Sequence, residues 1–422
     1  MENEYEYIIK GGNKVEGEVE ISGSKNAALP IIAATILNGG VSTLYNVPNI
    51  HDTKMMYEIL NRLGGKVVKK KNKVIIDTSG INKYEIPEGL MRQMRSSVIL
   101  VGSLVGKYRK ATFSYPGGCD IGTRPIDLQL KVFEKIGINI DKNYGNITCS
   151  CDRIIGEKII LDFPSVGATE NIILASCLGE GTTRIINAAR EPEILDLQNF
   201  LNRMGAKIKG AGTNEIEIEG VKNLKDVSYN IMPDRIEAGT FLCMTAITGG
   251  NAKLLNVNDK HIIPIIDKLE EAGCKIEIDK NTIKIQGPKR LKSVNIKTMP
   301  YPGFPTDMQS IFTTVLTTAR GTSIVVENIF ENRYKYTQEL IRMGAKISIE
   351  GKMAIVKGVK KLYGANVKAT DLRGGASLVL AGIVAKGETI VENIGYILRG
   401  YEDFDKKISN LGIDISKRIK LN

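Results

Sequence analysis

Tryptophan is absent from this chain, and histidine occurs only as His51 and His261. With no H-E-x-x-H helix and no paired C-x-x-C, a metal centre held by the protein is not expected. The six cysteines stand at 119, 149, 151, 177, 243 and 274. Only Cys149 and Cys151 are close, and a C-x-C is neither a zinc knuckle nor a redox C-x-x-C. Scattered free thiols suit a reducing compartment. The G-x-x-x-x-G-K-[ST] loop of P-loop ATPases is missing. The aromatics, 15 Tyr and 9 Phe, form no recognition motif of the kind that stacks bases, so nucleic acid is not the expected partner. Long apolar runs are also lacking. The longest uncharged stretch, residues 26–50, is broken by Pro30, Asn38, Gly39 and Gly40. Its apolar part, like residues 96–106 and 374–385, is too short to span a bilayer. The opening MENEYEYIIK has no apolar segment of a secretory signal. These shortages together predict a soluble, cytoplasmic protein with no membrane partner.

What is plentiful is positive charge. Lys and Arg number 58 against 47 Asp and Glu, a formal balance of +11 over 422 residues. Anionic partners follow from that balance. A chain of this length can bury a core without disulfide or metal staples.

A short motif also recurs: L-G-G-K-V at 63–67, I-G-I-N-I at 136–140, M-G-A-K-I at 204–208, A-G-C-K-I at 272–276, M-G-A-K-I at 343–347 and L-G-I-D-I at 411–415. Its glycines, from Gly64 to Gly412, are spaced 68 to 73 residues apart. The chain is therefore six units of similar length. Each glycine ends an amphipathic stretch, such as 53–63 or 192–204, where a left-handed residue would cap the helix. A β-rich hairpin follows, as at 66–71 with 73–77 and at 206–209 with 215–219. Each amphipathic stretch is preceded by a strand with a repeated tail: Tyr45-Asn46, Ile186-Asn187, Leu255-Asn256, Glu327-Asn328 and Glu392-Asn393, with Ser114-Tyr115 in the second unit. Before each strand lies a helix apolar nearly all round, at 26–37, 96–105, 168–177, 237–247, 308–318 and 374–385, which must be buried. Three such units wrapped around their apolar helices make one domain, so six predict two.

The starts of these six helices carry Lys25-Asn26, Arg95, Ser165-Val166-Gly167, Asp234-Arg235, Asp307 and Asp371-Leu372-Arg373. Helix N-termini present free N–H groups and a positive dipole end, suited to anions. Asp234, Asp307 and Asp371 each have two readings, a helix cap or a ligand contact. An arginine there is opposed by the dipole. Arg95, Arg235 and Arg373 thus call for another partner, a ligand or a buried carboxylate. Loops before the amphipathic helices carry Cys119, Arg124, Arg190, Arg333 and Arg399. Cys119, in Tyr-Pro-Gly-Gly-Cys-Asp-Ile-Gly-Thr-Arg-Pro, has the glycine-rich, cationic surroundings that expose a thiol and lower its pKa, although Asp120 opposes the thiolate. The other five cysteines read as structural. The charge run 69–71 reads as a solvated strand edge.

At these residues the sequence resembles the enolpyruvyl transferases over essentially its whole length. The stretches are ISGSKNAALP at 21–30, MRSS at 94–97, PGGCDIGTRPID at 116–127, SVGATE at 165–170, NAAREPEI at 187–194, PDRIEAGTF at 233–241, FPTDMQ at 304–309, FENR at 330–333, ATDLR at 369–373 and RGYE at 399–402. The resemblance implies an α/β fold: a two-domain inside-out α/β barrel of six βαβαββ repeats, three per domain, with the active site in the interdomain cleft. It implies domains of 24–232 and of 1–23 with 233–422. Cys119 and SGSKNAALP favour the sugar-nucleotide branch, which moves the enolpyruvyl group of phosphoenolpyruvate to the 3-hydroxyl of UDP-N-acetylglucosamine in peptidoglycan synthesis. The alternatives are the shikimate 3-phosphate branch and a non-catalytic paralogue that only binds the sugar nucleotide. By resemblance Cys119 is the general acid and a target of fosfomycin, and Asp307 is the base. Lys25, Asn26, Arg124, Arg333, Arg373 and Arg399 hold phosphoenolpyruvate, and Lys25 and Arg399 are counted with Cys119 and Asp307 as catalytic. Asn26, Arg95, Arg124, Pro125, Ile126, Asp127, Leu128, Ser165, Val166, Gly167, Asp307 and Ile329 meet UDP-N-acetylglucosamine, and Asp371 lines the same cleft. No cofactor is implied, and a monomer is expected.

Overall fold

The computed structural model of the chain describes residues 5–115 and 126–420. Cys119, Arg124 and Pro125 lie outside the described residues. Six helices are buried on almost every side: Lys25–Ala34, Ile99–Tyr108, Val166–Ser176, Arg235–Thr248, Gln309–Thr317 and Leu372–Val384. These are the six apolar segments of the repeat, so uniform hydrophobicity did become full burial. Close packing among them needs small residues. A Cβ on Gly106 would stand 2.6 Å from the Leu174 carbonyl oxygen, and Gly102 N donates to Asn171 Oδ1 at 2.9 Å. The order of these contacts shows that Ile99–Tyr108 and Val166–Ser176 run in the same direction.

Around the helices lie, among the described residues, five four-stranded sheets and one of three strands. Each four-stranded sheet joins a parallel pair to an antiparallel pair, which is a hairpin in four of the five. In one, Asn251–Leu255 runs parallel to Glu16–Glu20 and antiparallel to Thr282–Gln286, which pairs with the outer strand Lys275–Asp279. Strand residues alternate as a half-buried sheet requires: in Thr322–Val326, Ser323 and Val325 are buried while Thr322 and Ile324 face out. In the second repeat the first strand shrinks to one bridge, Glu85 with Thr112, which leaves three strands. The lysine-rich strand Lys66–Lys70 is an outer strand, where charge discourages further pairing.

The repeated residues have local physical roles. All six motif glycines have positive φ, between 86° and 108°, as the helix-ending reading requires. The asparagines that close the strands serve a second purpose. Asn46, Asn187 and Asn256 adopt φ of 55°, 60° and 58°. Their side-chain amides donate to Ile231 O, Leu161 O and Ile21 O at 2.8 to 2.9 Å. Each tail thus turns the chain and fastens it to the end of the neighbouring parallel strand.

The chain divides into two compact units, residues 5–22 with 233–420, and residues 23–115 with 126–232, each with its own apolar core. Sequence order and sheet membership part company at the ends of the units. Tyr5–Lys10 completes the sheet of Glu388–Glu392 and Asp414–Ile419, whereas Glu16–Glu20 joins that of Asn251–Leu255. In the other unit Val227–Asn230 pairs with Val41–Tyr45, nearly the whole unit away in sequence. Asp196 secures that closing strand. It accepts from Tyr229 Oη at 2.7 Å and from Met232 N at 3.2 Å.

Burial raises the Asp196 pKa from 3.8 to about 6, outweighing the two hydrogen bonds that lower it. A carboxylate raised on folding stabilises most where it is protonated, so this contribution is full below about pH 4 and is lost as pH rises through about 6. The loss is on the order of 2–3 kcal/mol. An Asp196→Asn variant can donate to Tyr229 Oη and still accept from Met232 N. Thermal unfolding followed from pH 4 to 8 should show a flatter profile for the variant than for the parent; identical slopes would contradict the assignment.

Candidate active site

Two core helices of the second unit, Ile99–Tyr108 and Val166–Ser176, run side by side in one direction and so bring their N-terminal ends together. Gly106 packs against both Leu174 and Leu37, so the C-terminal ends of the helices also converge. Lys25 and Asn26 open Lys25–Ala34, which Ser24 caps by accepting from Ala27 N. Lys25 Nζ lies 2.9 Å from Asp52 Oδ2. Asp52 is fully buried in the first turn of His51–Leu63, where the helix dipole favours its charge. Ser165 caps Val166–Ser176, and Ser165, Val166 and Gly167 are half-buried. A Cβ on Gly167 would meet Gln129 Nε2 at 2.9 Å, which places the Asp127–Lys135 helix against this end. At the start of that helix Ile126 is buried, Asp127 exposed and Leu128 half-buried. Arg95 occupies a short 3-10 turn leading into Ile99–Tyr108. Arg190 is exposed.

In the other unit the three aspartates separate into two roles. Asp234 caps Arg235–Thr248 through Ile236 N and Glu237 N, and Asp371 caps Leu372–Val384 through Arg373 N and Gly374 N. Asp307 makes no such cap. Its Oδ1 lies 2.9 Å from Arg333 Nη2, and its Oδ2 lies 3.3 Å from Arg373 Nη2. The side chains of Arg333 and Arg373 are 2% and 5% exposed, and that of Asp307 is 29% exposed. Arg373 therefore has a carboxylate partner, half-buried, as its place at a helix start called for. Its guanidinium stacks 5.2 Å from the Tyr401 ring, and that of Arg333 lies 5.2 Å from the Phe330 ring. Burial would lower the Arg373 pKa, but Tyr401, Asp307 and Asp234 more than reverse this and hold the charge. Arg235 is buried over the Tyr301 ring. Three buried guanidinium nitrogens, Arg333 Nε and Nη1 and Arg373 Nη1, have no hydrogen-bond partner among the described residues.

Arg399 ends the short helix Gly395–Leu398 and is half-buried. The next residue, Gly400, packs directly against Leu372, beside Arg373: a Cβ there would fall 2.5 Å from Leu372 Cδ1. Ile329 is bound into the same region through Glu327, a buried carboxylate with four donors. Its Oε1 accepts from Thr298 Oγ1 at 2.9 Å, Ile329 N at 2.8 Å and Phe330 N at 3.1 Å, and its Oε2 from Thr306 Oγ1 at 3.0 Å. Thr306 precedes Asp307, and Phe330 lies under Arg333, so Glu327 ties the turn of Asp307 to the loop of Ile329. The five described cysteines are not acidic thiols. Burial pushes Cys149, Cys177 and Cys274 up to about 12, and Cys243 and Cys151 are raised as well.

A basic, anion-seeking constellation on this repeated α/β frame can be compared with known proteins. The family model for EPSP synthase (3-phosphoshikimate 1-carboxyvinyltransferase) matches residues 9–408. The chain belongs to this enolpyruvyl transferase family. It is 53% identical over 410 residues to UDP-N-acetylglucosamine 1-carboxyvinyltransferase 2 of Caldanaerobacter subterraneus, covering 97% of this chain and 98% of that one. It is 48% identical to UDP-N-acetylglucosamine 1-carboxyvinyltransferase of Geobacter metallireducens, covering 98% and 99%. The fold matches the crystal structure of the enolpyruvyl transferase NikO from Streptomyces tendae, with a TM-score of 0.89 at 22% identity over 99% of both chains. It also matches EPSP synthase from Acinetobacter baumannii, with a TM-score of 0.76 at 17% identity over 98% and 100%. The two-domain α/β architecture is that of these transferases.

Three residues of the region escaped the sequence reading. Asp52 carries no signal besides its place before an amphipathic helix. Tyr401 sits inside RGYE, yet nothing local shows that its ring faces Arg373. Glu327 did carry a signal, since it is a charge at a strand tail where the first, third and fourth repeats have Tyr45, Ile186 and Leu255.

Removing the Asp307 carboxylate leaves two buried guanidiniums uncompensated, a loss put at about 3–5 kcal/mol for fully buried pairs. Because Asp307 is partly exposed, Asp307→Ala should cost about 2–3 kcal/mol. Added sulfate should restore more thermal stability to the variant than to the parent, because the anion takes the carboxylate's place. Equal responses to sulfate would contradict this account of the pair.

Proposed function

We propose that the chain transfers the enolpyruvyl group of phosphoenolpyruvate to the 3-hydroxyl of UDP-N-acetylglucosamine, with release of phosphate, as an early step of peptidoglycan precursor synthesis. The observation that carries this reading is the pair of buried guanidiniums at Arg333 and Arg373 with three unsatisfied nitrogens. A buried donor left without an acceptor costs about 1–3 kcal/mol. A doubly charged phosphate supplies the missing acceptors, and planar guanidinium suits phosphate and carboxylate alike. The full-length relatives at about half identity point to the sugar nucleotide as the acceptor substrate.

The reaction is an addition followed by an elimination. Cys119 gives a proton to C3 of phosphoenolpyruvate, and C2 becomes electrophilic. The sugar hydroxyl attacks C2 and its proton passes to Asp307. The tetrahedral ketal then loses phosphate, and a methyl proton leaves to restore the double bond. Lys25, Arg124 and Arg399, with Arg333, Arg373 and Asn26 in support, hold the phosphate and carboxylate. Arg95, the 124–128 segment, the Ser165–Gly167 helix start and Ile329 receive the sugar nucleotide. Phosphate that binds Arg333 and Arg373 competes with Asp307 for them, and so releases the carboxylate to act as the base. Lys25 is held by buried Asp52, which fixes its ammonium in place. Positioning and electrostatics then supply most of the rate effect. The enzyme works in the cytoplasm as a monomer and uses no cofactor.

Phosphate release from phosphoenolpyruvate should depend on UDP-N-acetylglucosamine and not on shikimate 3-phosphate. The reverse preference would move the chain to the shikimate branch, and tight sugar-nucleotide binding without turnover would mark a non-catalytic paralogue. Cys119→Ala and Asp307→Asn should each lower kcat by about 10²–10⁴, the usual worth of a general acid or base.

A further inference from the structure

At the far ends of the core helices of the first unit lies a cavity of about 240 Å³, lined by Thr248, Thr318 and Val384 at the C-terminal ends of those helices, and by Lys289, Arg290, Lys360 and Lys361. Arg373 and Val384 stand near opposite ends of helix Leu372–Val384, so the cavity is roughly 16 Å from Arg373 at 1.5 Å per residue. It is therefore separate from the candidate active site.

Its cations come from a repeated loop. Residues 287–291 read G-P-K-R-L, 358–362 read G-V-K-K-L, and 11–15 read G-G-N-K-V. The repeat carries these three loops around the helix ends, so Gly12 and Asn13 complete the rim. The corresponding loops of the other unit are less basic: 220–224 read G-V-K-N-L, and Arg153 is preceded by Asp152.

The bland explanation is that the cations merely neutralise helix C-termini. Arg290 does so: Nε donates to Thr318 O at 3.1 Å, and Nη2 to Ala319 O at 3.1 Å and Val359 O at 3.3 Å. A helix C-terminus carries about −0.5 of a charge, so three ends supply about −1.5 against four full positive charges. Among the described residues, no acidic side chain lines the cavity. Among the described residues, Lys289, Lys360 and Lys361 form no ion pair with a carboxylate. Neutralising the helix ends thus leaves about 2.5 positive charges over, gathered around one concavity.

We propose that this cavity is a second anion site, which binds a compact phosphate-bearing molecule of the di- or triphosphate class. Arg290 holds the floor, and the lysines from two loops close on the phosphate oxygens. The attraction is that of partly exposed charges and weakens with salt.

The test is calorimetric titration of the full chain with inorganic pyrophosphate at low ionic strength, for the parent and for a Lys289→Gln/Lys360→Gln/Lys361→Gln variant. These lysines are exposed and Arg290 is retained, so the variant should fold and keep its turnover. The parent should bind two pyrophosphates per chain and the variant one, and the site lost should be the more salt-sensitive. Hydrogen exchange should show protection at 287–292 and 358–362 in the parent alone. Equal stoichiometry in the two proteins, or protection absent from those loops, would overturn the proposal. Enolpyruvyl transfer is measured separately, so its absence would leave this result unaffected.

Discussion

Three apolar helices packed side by side in one direction must collect their unsatisfied N–H groups at one end and their carbonyls at the other. That constraint orders everything else in each unit. The alignment is permitted by small residues such as Gly102 and Gly106, whose lack of a side chain lets backbones approach. Once the helices are aligned, one end of the unit attracts anions and the other attracts cations. Lys25, Ser165 and Asp307 stand at the first kind of end, and Arg290, with its three carbonyl partners, stands at the second.

Arginine at the positive end of a helix is the costly element of this design. Taking a charge out of water costs several kcal/mol even after relaxation. Arg333 and Arg373 offset part of this by sharing Asp307, and part by stacking on Phe330 and Tyr401, contacts worth about 0.5–2 kcal/mol each. Among the described residues, Arg333 Nε and Nη1 and Arg373 Nη1 stay unsatisfied. Buried polar groups without partners are few in native proteins, so each marks a place where something other than stability is at stake. Glu327 belongs to the same economy, since one buried carboxylate satisfies two backbone amides and two hydroxyls, and so holds the Asp307 turn and the Ile329 loop in register.

Much of this was legible along the chain. The spacing of six glycines identified the repeat, and each glycine indeed has the positive φ that a helix end requires. The six apolar helices were placed within a few residues, because burial on all sides demands hydrophobicity on all sides. The residues Asp234, Asp307 and Asp371 looked alike in sequence. Only their surroundings separated two helix caps from one ion-paired carboxylate. Asp52 and Tyr401 were not legible, because a partner for a charge is chosen by proximity in space and leaves no periodic trace.

The amino-acid sequence by itself determined the unit length, the order of elements within a unit, which helices are buried and where cations concentrate. These are local properties, set by side-chain periodicity and by the backbone freedom of glycine and asparagine. The tertiary structure alone decided which strands complete which sheets, as when Tyr5–Lys10 and Glu16–Glu20 leave each other for different sheets. It alone decided that Asp307 meets Arg333 and Arg373, which lie 26 and 66 residues away. Pairings over such separations depend on how whole helices and sheets pack, and no short window of sequence contains that information.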